Sequence, residues 1–307
     1  MQDIQIGVIG AGTMGLRMLQ ALQAQPGYAV TGVHDPDPRA QARVRVLAPG
    51  LPVLANAAEL VSHPGLDALY IASPPAWHLE HLRMARDAGL AVLCEQPLAA
   101  NKADLALIGQ LDLPRCAVNF PFACAPAARQ LMALARSGAL GAFTGASVTL
   151  RFARWPRAWQ DGAAGWLASP EQGGFTREVL SHFLFLALRL LGPLELQSCH
   201  LVRAPGYTET ALRARLRHAA GNFEIDAAIG GTAEESMRFE WRGSHGSASL
   251  SDWYRLEATG LSPLEPVDPA PCTLDAFARA LTGKAGSDLA TVAEARKVAE
   301  LVESMLA

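Results

Sequence analysis

Apolar residues in the first part of the chain form short runs that are separated by amphipathic segments. Residues 4–9 alternate and then run apolar, stop at a glycine cluster and precede a segment with helical periodicity. Strand-like and helix-like patterns then alternate up to about residue 119. The predicted strands span 4–9, 29–34, 68–72 and 91–94, with another near Ala117, and the predicted helices span 14–24, 38–47, 57–61, 77–88 and 102–111. This order predicts a doubly wound parallel sheet.

After residue 119, longer strand-like segments dominate the pattern. The predicted strands span 143–153, 194–203, 210–218, 222–229, 236–241 and 247–250, and the predicted helices span 126–137, 176–191 and 292–306. A run of strands with few intervening helices predicts a large, mostly antiparallel open sheet with helices on one face. We therefore predict an α/β protein with two domains, residues 1–119 and 120–307, the second of them an α+β domain.

The composition restricts the kind of partner. The chain has 307 residues, a formal net charge of -3 and no block of lysines and arginines, whereas nucleic acids and anionic membranes are bound by clustered cations. We therefore expect a small-molecule partner, no nucleic acid and no membrane. The apolar stretches are far shorter than the roughly 20 residues that a transmembrane helix needs. The 5 cysteines form no CxxC pair, which indicates reduced thiols and a cytoplasmic protein.

A glycine motif lies between the first predicted strand and the first predicted helix. Gly10, Gly12 and Gly15 have the GxGxxG spacing. In this motif the first glycine permits a tight turn, the second lets the backbone approach a pyrophosphate, and the third allows the helix to pack on the strand. Thr13 and Met14 begin the helix, whose N-terminus attracts negative charge. The motif predicts a Rossmann domain that binds a nicotinamide dinucleotide, and an ordinary glycine turn is the alternative.

The residues after the second predicted strand bear on the choice of dinucleotide. Asp35 follows the last glycine at the spacing of about 20 residues at which a carboxylate accepts hydrogen bonds from the adenosine ribose. Asp35 and Asp37 would repel a 2′-phosphate, so we predict NAD rather than NADP. Arg39 favours NADP instead, because an arginine just after the acidic residue can bind the 2′-phosphate.

Three further segments match the motifs of a known family. They are IASPPAWH at 71–78, AG at 88–89 and VLCEQPLA at 92–99. In these motifs the chain resembles the Gfo/Idh/MocA family, which includes glucose-fructose oxidoreductase and inositol dehydrogenase. The resemblance implies a Rossmann domain joined to an α/β domain whose open sheet forms a dimer interface, and oxidation of a sugar or polyol hydroxyl with NAD or NADP. It further implies that Ser73, Pro74, His78 and Glu95 line the cofactor, although His78 is as well explained by helix capping.

The resemblance also assigns the catalytic residues, and at one of these positions the chain differs from the usual residue of the family. Family members usually carry a lysine where this chain has Gln96, which donates hydrogen bonds but has no ionisable state near neutral pH. The resemblance assigns proton transfer to His182, and Glu178 replaces the usual aspartate four residues earlier. Side chains at i and i+4 of a helix lie on one face and can meet the same ligand. By periodicity alone, a packed polar residue is the more ordinary interpretation of His182.

Other polar and aromatic residues leave alternatives open. We predict that substrate is bound by Arg154, Trp159, Trp166 and Arg177. Arginine binds carboxylates through two hydrogen bonds, and aromatic rings stack on flat groups of a ligand. The alternative is a loop of solvated cations, with tryptophans that pack at an oligomer interface. The His78 and His81 pair has no evident third ligand, so no metal site is predicted.

Together these features predict an NAD(P)-dependent dehydrogenase or reductase that forms a homodimer or homotetramer through the C-terminal sheet. The substrate is sugar-like or polyol-like or, because Gln96 replaces the lysine, an imine or a carboxylated compound. The alternative is a dinucleotide-binding sensor or assembly subunit without net redox turnover. Redox-neutral elimination or hydrolysis, with NAD regenerated in each cycle, is a third hypothesis.

Overall fold

The chain folds into two compact units. The computed structural model describes residues 2–282 and 288–307. The first unit consists of the described residues of Met1–Phe120 and Ala270–Arg296, and the second of Pro121–Pro269 and Lys297–Ala307. The described residues of the segment 270–296, which the sequence assigned to the second domain, are therefore part of the first unit.

The strands and helices largely follow the sequence pattern. The strands are β1 (Ile4–Ile9), β2 (Tyr28–His34), β3 (Ala68–Ile71), β4 (Ala91–Glu95), β5 (Cys116–Asn119), β6 (Phe143–Phe152), β7 (Glu195–Arg203), β8 (Glu209–His218), β9 (Gly221–Ile229), β10 (Glu235–Gly243), β11 (Ser247–Ser251), β12 (Arg255–Ala258) and β13 (Ala290–Thr291). The helices are α1 (Thr13–Ala24), α2 (Pro38–Leu47), α3 (Ala57–Val61), α4 (His78–Asp87), α5 (Lys102–Ile108), α6 (Pro126–Ser137), α7 (Ala164–Leu167), α8 (Ser181–Leu191), α9 (Ala270–Leu281) and α10 (Val292–Leu306). The sequence did not predict α7, α9, β12 or β13. Among the described residues, no helix is long and apolar enough to span a membrane.

The first unit is built on a six-stranded sheet in the order β13, β5, β4, β3, β1, β2. Strands β1 to β5 are parallel, and β13 pairs antiparallel with β5 at one edge. The strand interiors, such as Ile6 and Val8, are fully buried, as expected for a parallel sheet covered on both faces. The strand order reverses at β1, and ligands of such sheets bind outside the carboxyl ends of the strands at this point. The predicted doubly wound sheet is confirmed.

Helix α9 and strand β13 extend the first unit through contacts distant in sequence. The hydroxyl of Tyr28 donates to the carbonyl oxygen of Leu274 at 2.6 Å, across 246 positions of the chain. The amide of Gln25 donates to the carboxylate of Asp275, also at 2.6 Å. A local hydrophobic pattern carries no information about such partners, which is why the segment was assigned to the wrong unit.

The second unit is built on a seven-stranded sheet in the order β12, β11, β10, β6, β9, β8, β7. Neighbouring strands are antiparallel except for β6 and β9, which are parallel. One face buries apolar side chains such as Phe223 and Phe239. The opposite face carries an array of ion pairs, for example Arg215 with Glu224 at 3.0 Å. The predicted open, mostly antiparallel sheet is confirmed.

The most buried helix of the second unit begins with a change of helix type. Residues Thr176–Leu180 form a π-helical turn, and the regular helix α8 starts at Ser181. The predicted single helix over 176–191 is therefore two segments. The side chains of Phe183, Leu184 and Leu186 are at most 1% exposed, so α8 is surrounded by other elements. Single π turns inside helices are often found at functional sites.

Candidate active site

The glycine motif forms the loop between β1 and α1. Gly10 has a φ of +94°, and a Cβ there would lie 2.5 Å from the carbonyl carbon of Ala72. A Cβ at Gly15 would lie 1.9 Å from the carbonyl oxygen of Gly10. Both positions therefore exclude larger residues, in agreement with the turn and packing roles predicted for them. At Gly12, in contrast, a Cβ would meet no atom within 4 Å, so open space lies beside the loop.

The same loop presents the N-terminus of α1. Gly12 is the N-cap residue, and no side chain of a described residue caps the helix. The first backbone amides of a helix have no partner within it, and the helix dipole adds partial positive charge. Gly12 and Thr13 are exposed, and Met14 is half-buried. The open space and the uncapped helix fit the pyrophosphate of a dinucleotide.

Asp35, just after β2, supports this loop directly. Its Oδ2 accepts a hydrogen bond from the backbone amide of Ala11 at 2.6 Å, and its Oδ1 accepts one from the amide of Asp37 at 2.8 Å. Asp37 in turn caps α2 by accepting from the amide of Arg39 at 2.9 Å. The side chain of Asp35 therefore holds the glycine loop and places negative charge beside it.

Two buried histidines hold the loop that follows β3. The Nε2 atom of His78 lies 2.8 Å from the carbonyl oxygen of Ser73, and burial lowers the pKa of His78. The Nδ1 atom of His81 lies 3.0 Å from the hydroxyl of Ser73. Burial, followed by the nearby His78 and His34, lowers the pKa of His81 to about 4. These contacts favour a structural role for His78, within the loop that also contains Pro74.

Glu95, at the end of β4, receives hydrogen bonds from the two neighbouring strands. The hydroxyl of Tyr70 donates to its Oε1, and the side-chain amide of Asn119 donates to the same oxygen at 2.7 Å. Burial raises the pKa of Glu95, although these donors and the backbone amide of Gln96 oppose the shift. Gln96 is 8% exposed, and its peptide bond to Pro97 is cis. The carboxyl ends of three parallel strands thus carry a polar cluster next to Gln96.

In the second unit, His182 is the second residue of α8 and is 9% exposed. Its ring packs edge-on against Phe122, with centroids 6.3 Å apart, and against Trp253, with centroids 5.2 Å apart. Burial, and then the positive charge of Arg157, lowers the pKa of His182 to about 3. The imidazole is therefore neutral at pH 7, the state in which it can accept a proton.

Glu178 lies in the π turn and is linked to two residues of the loop after β6. The side-chain amide of Gln160 donates to Oε1 of Glu178 at 3.2 Å, and Nη2 of Arg157 lies 3.8 Å from the same oxygen. Residues 176–180 are π-helical, so Glu178 lies in the turn that precedes the regular helix α8, which carries His182. Arg157 relates the two residues, since it pairs with one and acts electrostatically on the other.

The two arginines predicted to bind substrate are paired with carboxylates of the protein. Arg154 is exposed and lies 2.9 Å from Asp161. Arg177 is 8% exposed, and its Nε donates to Glu303 at 2.7 Å. Its Nη1 donates to two backbone carbonyl oxygens. These contacts favour a structural role for Arg177.

The two tryptophans predicted to bind substrate differ in their surroundings. Trp159 is 40% exposed, and its ring stacks on the guanidinium of Arg157 at 4.5 Å. Trp166 lies in α7 and is half-buried. Trp159 is therefore the one that the structure connects with the polar residues around His182.

Four residues of these clusters were missed by the sequence analysis: Tyr70, Asn119, Glu235 and Trp253. The first two lie on β3 and β5, the neighbours of β4 in the sheet. Their proximity to Glu95 follows from the strand order, because carboxyl ends of neighbouring parallel strands meet at one edge. Glu235, which pairs with Arg157 at 2.8 Å, and Trp253, whose ring packs against His182, belong to no sequence motif. Among the described residues, no group of three or more His, Cys, Asp and Glu side chains is arranged to hold a metal ion.

The fold and the glycine loop define a two-domain protein with a dinucleotide-binding Rossmann domain. Residues 4–111 match the model of the oxidoreductase family with an NAD-binding Rossmann fold, Gfo/Idh/MocA. Residues 4–111 of this chain are therefore similar to that family, in agreement with the resemblance of its motifs.

Named relatives and solved structures are also similar to this chain. Inositol 2-dehydrogenase from Corynebacterium glutamicum is 29% identical over 145 residues, which are 46% of this chain and 43% of that protein. The alignment therefore spans less than half of the relative. An oxidoreductase structure from Thermotoga maritima has a TM-score of 0.84 at 17% identity, covering 99% of this chain and 96% of that one. A 3-ketoreductase from Actinomadura kijaniata, in complex with NADP and TDP-benzene, has a TM-score of 0.81 at 21% identity, covering 99% and 97%. The shared fold extends over both units.

Proposed function

We propose that this protein is an NAD(P)-dependent oxidoreductase that transfers a hydride to or from a carbon atom of a small molecule. The observation that carries the proposal is the loop at Gly12, where open space meets the uncapped N-terminus of α1. This geometry belongs to a domain of an NAD-binding oxidoreductase family. The second unit supports the proposal because it supplies a buried histidine, His182, between the rings of Phe122 and Trp253.

The residues of the first unit would hold the dinucleotide by its phosphates and adenosine ribose. The glycine loop and the first turn of α1 suit the pyrophosphate, and Asp35 suits the ribose hydroxyls. When bound, the nicotinamide ring accepts or donates the hydride. We favour NAD, because Asp35 is fixed by two backbone amides and would repel a 2′-phosphate. The exposed Arg39 supports NADP, and the 3-ketoreductase structure contains NADP.

His182 is proposed to move the proton that accompanies hydride transfer. Oxidation of a hydroxyl group releases a hydride from carbon and a proton from oxygen, so a proton acceptor is required. The pKa of about 3 keeps His182 neutral at pH 7. Glu178 is proposed to fix the position of this segment through its contacts with Gln160 and Arg157. Gln96 is proposed to donate a hydrogen bond to the reacting oxygen without moving a proton.

The proposed substrate is a sugar-like or polyol-like alcohol, or the corresponding ketone. The relatives are named inositol 2-dehydrogenase and 3-ketoreductase. The first name refers to an alcohol and the second to a ketone. A carboxylated substrate is less favoured, because Arg154 and Arg177 already pair with protein carboxylates. An imine remains compatible with Gln96, which can donate or accept a hydrogen bond.

The test is a titration with NADH and NADPH, followed by a panel of polyols, sugars, ketones and imines. Energy transfer from tryptophan to bound nicotinamide reports binding, and nicotinamide absorbance reports turnover. We expect NADH to bind more tightly than NADPH, and at least one alcohol or ketone to be turned over.

The variant His182→Asn should lower kcat by about 10²–10⁴-fold without changing the affinity for NADH. His200→Asn, at an exposed position on β7, is the matched control and should retain full activity. Normal turnover by His182→Asn would refute the role assigned to His182. Tight NADH binding with no turnover on the whole panel would instead favour a sensor or assembly subunit. Product formation without net NADH would favour redox-neutral elimination or hydrolysis.

A further inference from the structure

Arg157 is buried in the second unit, and its guanidinium contacts several side chains of the same unit. Its side chain is 4% exposed. The Nε group donates to Gln160 at 2.9 Å, and Nη1 donates to Oε2 of Glu235 at 2.8 Å. The Nη2 atom lies 3.8 Å from Glu178. Two carboxylates and one amide oxygen thus surround this cation, whose geometry suits a fixed hydrogen-bonding centre.

The hydrogen bonds continue from Glu235 to a tryptophan beside His182. The other carboxylate oxygen of Glu235 accepts a hydrogen bond from the indole Nε1 of Trp253 at 3.2 Å. The indole stands edge-on to the imidazole of His182, with centroids 5.2 Å apart and an interplanar angle of 86°. Trp253 also stacks on Phe183, with centroids 5.8 Å apart. The ring of Trp253 is therefore fixed at its polar end by Glu235 and on its face by α8.

The backbone at this tryptophan has an uncommon conformation. Asp252 and Trp253 have φ angles of 48° and 65°, in the left-handed region that residues other than glycine rarely occupy. Such conformations persist only where the surrounding contacts fix them, and they cluster at functional sites. At this position the indole contacts both Glu235 and the imidazole of His182.

We propose that Arg157 is a positioning residue that orients the imidazole of His182 through Glu235 and Trp253. The inference rests on the proposed function, in which His182 transfers the proton. This positioning role replaces the interpretation that the loop after β6 binds an anionic substrate, because the guanidinium of Arg157 is already paired with protein carboxylates. The chain of contacts runs from the loop after β6, through the start of β10, to the turn between β11 and β12.

The charges around His182 add a consequence that can be measured. The positive charge of Arg157 acts on His182, and Glu178 from the π turn and Glu235 from β10 are paired with Arg157. The rings of Phe122 and Trp253 face the imidazole, and Tyr254 packs on both of them. Loss of the cation should therefore raise the pKa of His182, whereas loss of the indole hydrogen bond should change its orientation.

Two variants separate these effects from simple unfolding. Trp253→Phe keeps an aromatic ring but removes the N–H group that donates to Glu235. Arg157→Lys keeps the positive charge but removes the planar set of guanidinium N–H donors. Arg157→Met removes both and leaves two carboxylates unpaired, so its folding is checked first by thermal melting. Arg255→Met is the matched control, because Arg255 also faces two carboxylates, at 2.7 and 3.5 Å, on β12 of the same unit.

The experiment combines kinetics with nuclear magnetic resonance of isotope-labelled histidine in the protein without cofactor. We expect Trp253→Phe to lower kcat by about tenfold or more, as misplacement of a catalytic group does, with NADH affinity unchanged and a shifted ring resonance for His182. Arg157→Lys should retain more activity than Arg157→Met, and Arg157→Met should raise the pKa of His182 in the titration. Arg255→Met should change none of these.

Unchanged kinetics and an unchanged His182 resonance in Trp253→Phe would overturn the proposal even if Arg157→Met does not fold. If the wild-type protein shows no turnover, the proposed function fails but the resonance of His182 still tests its orientation. An unmoved resonance in both Trp253→Phe and Arg157→Lys would then overturn the positioning role separately.

Discussion

The two units build their candidate sites from different parts of the polypeptide. In the first unit the site is mainly backbone: Gly10, Gly12 and Gly15 shape a loop, and the N-terminus of α1 supplies the charge. In the second unit the site is a set of side chains around His182, contributed by a loop, a π turn, a strand and a turn between strands. Added side-chain atoms therefore disrupt the first kind of site, whereas loss of one member of an ion pair or hydrogen bond disrupts the second.

This difference predicts how the two sites fail. A backbone site is destroyed when one Cβ occupies the space that the chain or its ligand needs. A buried side-chain site is destroyed when one member of an ion pair loses its partner, because the remaining charge stays buried. Steric variants should therefore be most harmful in the first unit, and neutralising variants in the second.

The largest effect is expected at Gly15. A Cβ at this position would lie 1.9 Å from the carbonyl oxygen of Gly10, and backbone cannot move as a side chain does. Gly15→Ala should cost more than the roughly 1–3 kcal/mol of ordinary overpacking and should abolish NADH binding. Thermal melting and the NADH titration measure the two losses.

Gly12→Ala is the matched variant, because a Cβ there meets no protein atom within 4 Å. It should melt like the wild type but bind NADH at least about tenfold more weakly, a loss of about 1.4 kcal/mol. Wild-type affinity in Gly12→Ala would show that the open space beside the loop is not where the cofactor binds.

The next largest effect is expected at Arg177. Its ion pair with Glu303, at 2.7 Å, has side chains that are 9% and 15% exposed. Arg177→Met should lower the free energy of unfolding by about 3–5 kcal/mol, since it leaves a buried carboxylate unpaired. Urea denaturation measures this loss.

The exposed pair of Arg217 with Glu195, whose side chains are 59% and 66% exposed, provides the control for Arg177. Arg217→Met should cost about 1 kcal/mol or less. A raised KM with unchanged stability in Arg177→Met would show that Arg177 binds substrate after all.

The smallest effect is the response of the two units to acid. His81 and His182 have pKa values lowered to about 4 and about 3, whereas an unfolded histidine titrates near pH 6.5. Below about pH 6.5 the unfolded chain therefore binds more protons than the folded one. Stability should fall by about 2 kcal/mol for each residue between about pH 7 and about pH 5, and the fall should continue until His81 titrates at about 4 and His182 at about 3.

Denaturation curves at several pH values check this prediction. His182→Asn should flatten the decline of the second unit, and His81→Asn that of the first. The exposed His200 is the control, and His200→Asn should leave the slope as it is. An unaltered slope in all three variants would mean that buried histidines do not set the acid sensitivity.

Much of the first unit was predictable, and the reason is the short range of its signals. The loop glycines, β1, α1 and Asp35 lie within one continuous segment, and each position has a steric or electrostatic requirement that few residue types meet. The segment 270–296 was misassigned because its partners, Tyr28 and Gln25 among them, are about 250 positions away.

In the second unit the sequence indicated the sheet, the helix and His182, but not the environment of the imidazole. Residues Thr176–Leu180, which include Glu178, form a π turn that the sequence pattern did not predict. The loop that contains Arg154 and Trp159 had two interpretations, as a substrate-binding segment or as solvated cations, and the structure shows Arg157 of this loop buried among protein carboxylates.

The sequence by itself determined the doubly wound sheet, the open antiparallel sheet and the glycine loop. These follow from hydrophobic periodicity and from backbone sterics, which act over a few neighbouring residues. The tertiary structure alone decided which unit holds residues 270–296, which carboxylates pair with Arg157 and Arg177, and which ring stands against His182. The physical reason is that a buried polar group requires a partner, while the identity of that partner depends on how distant segments pack.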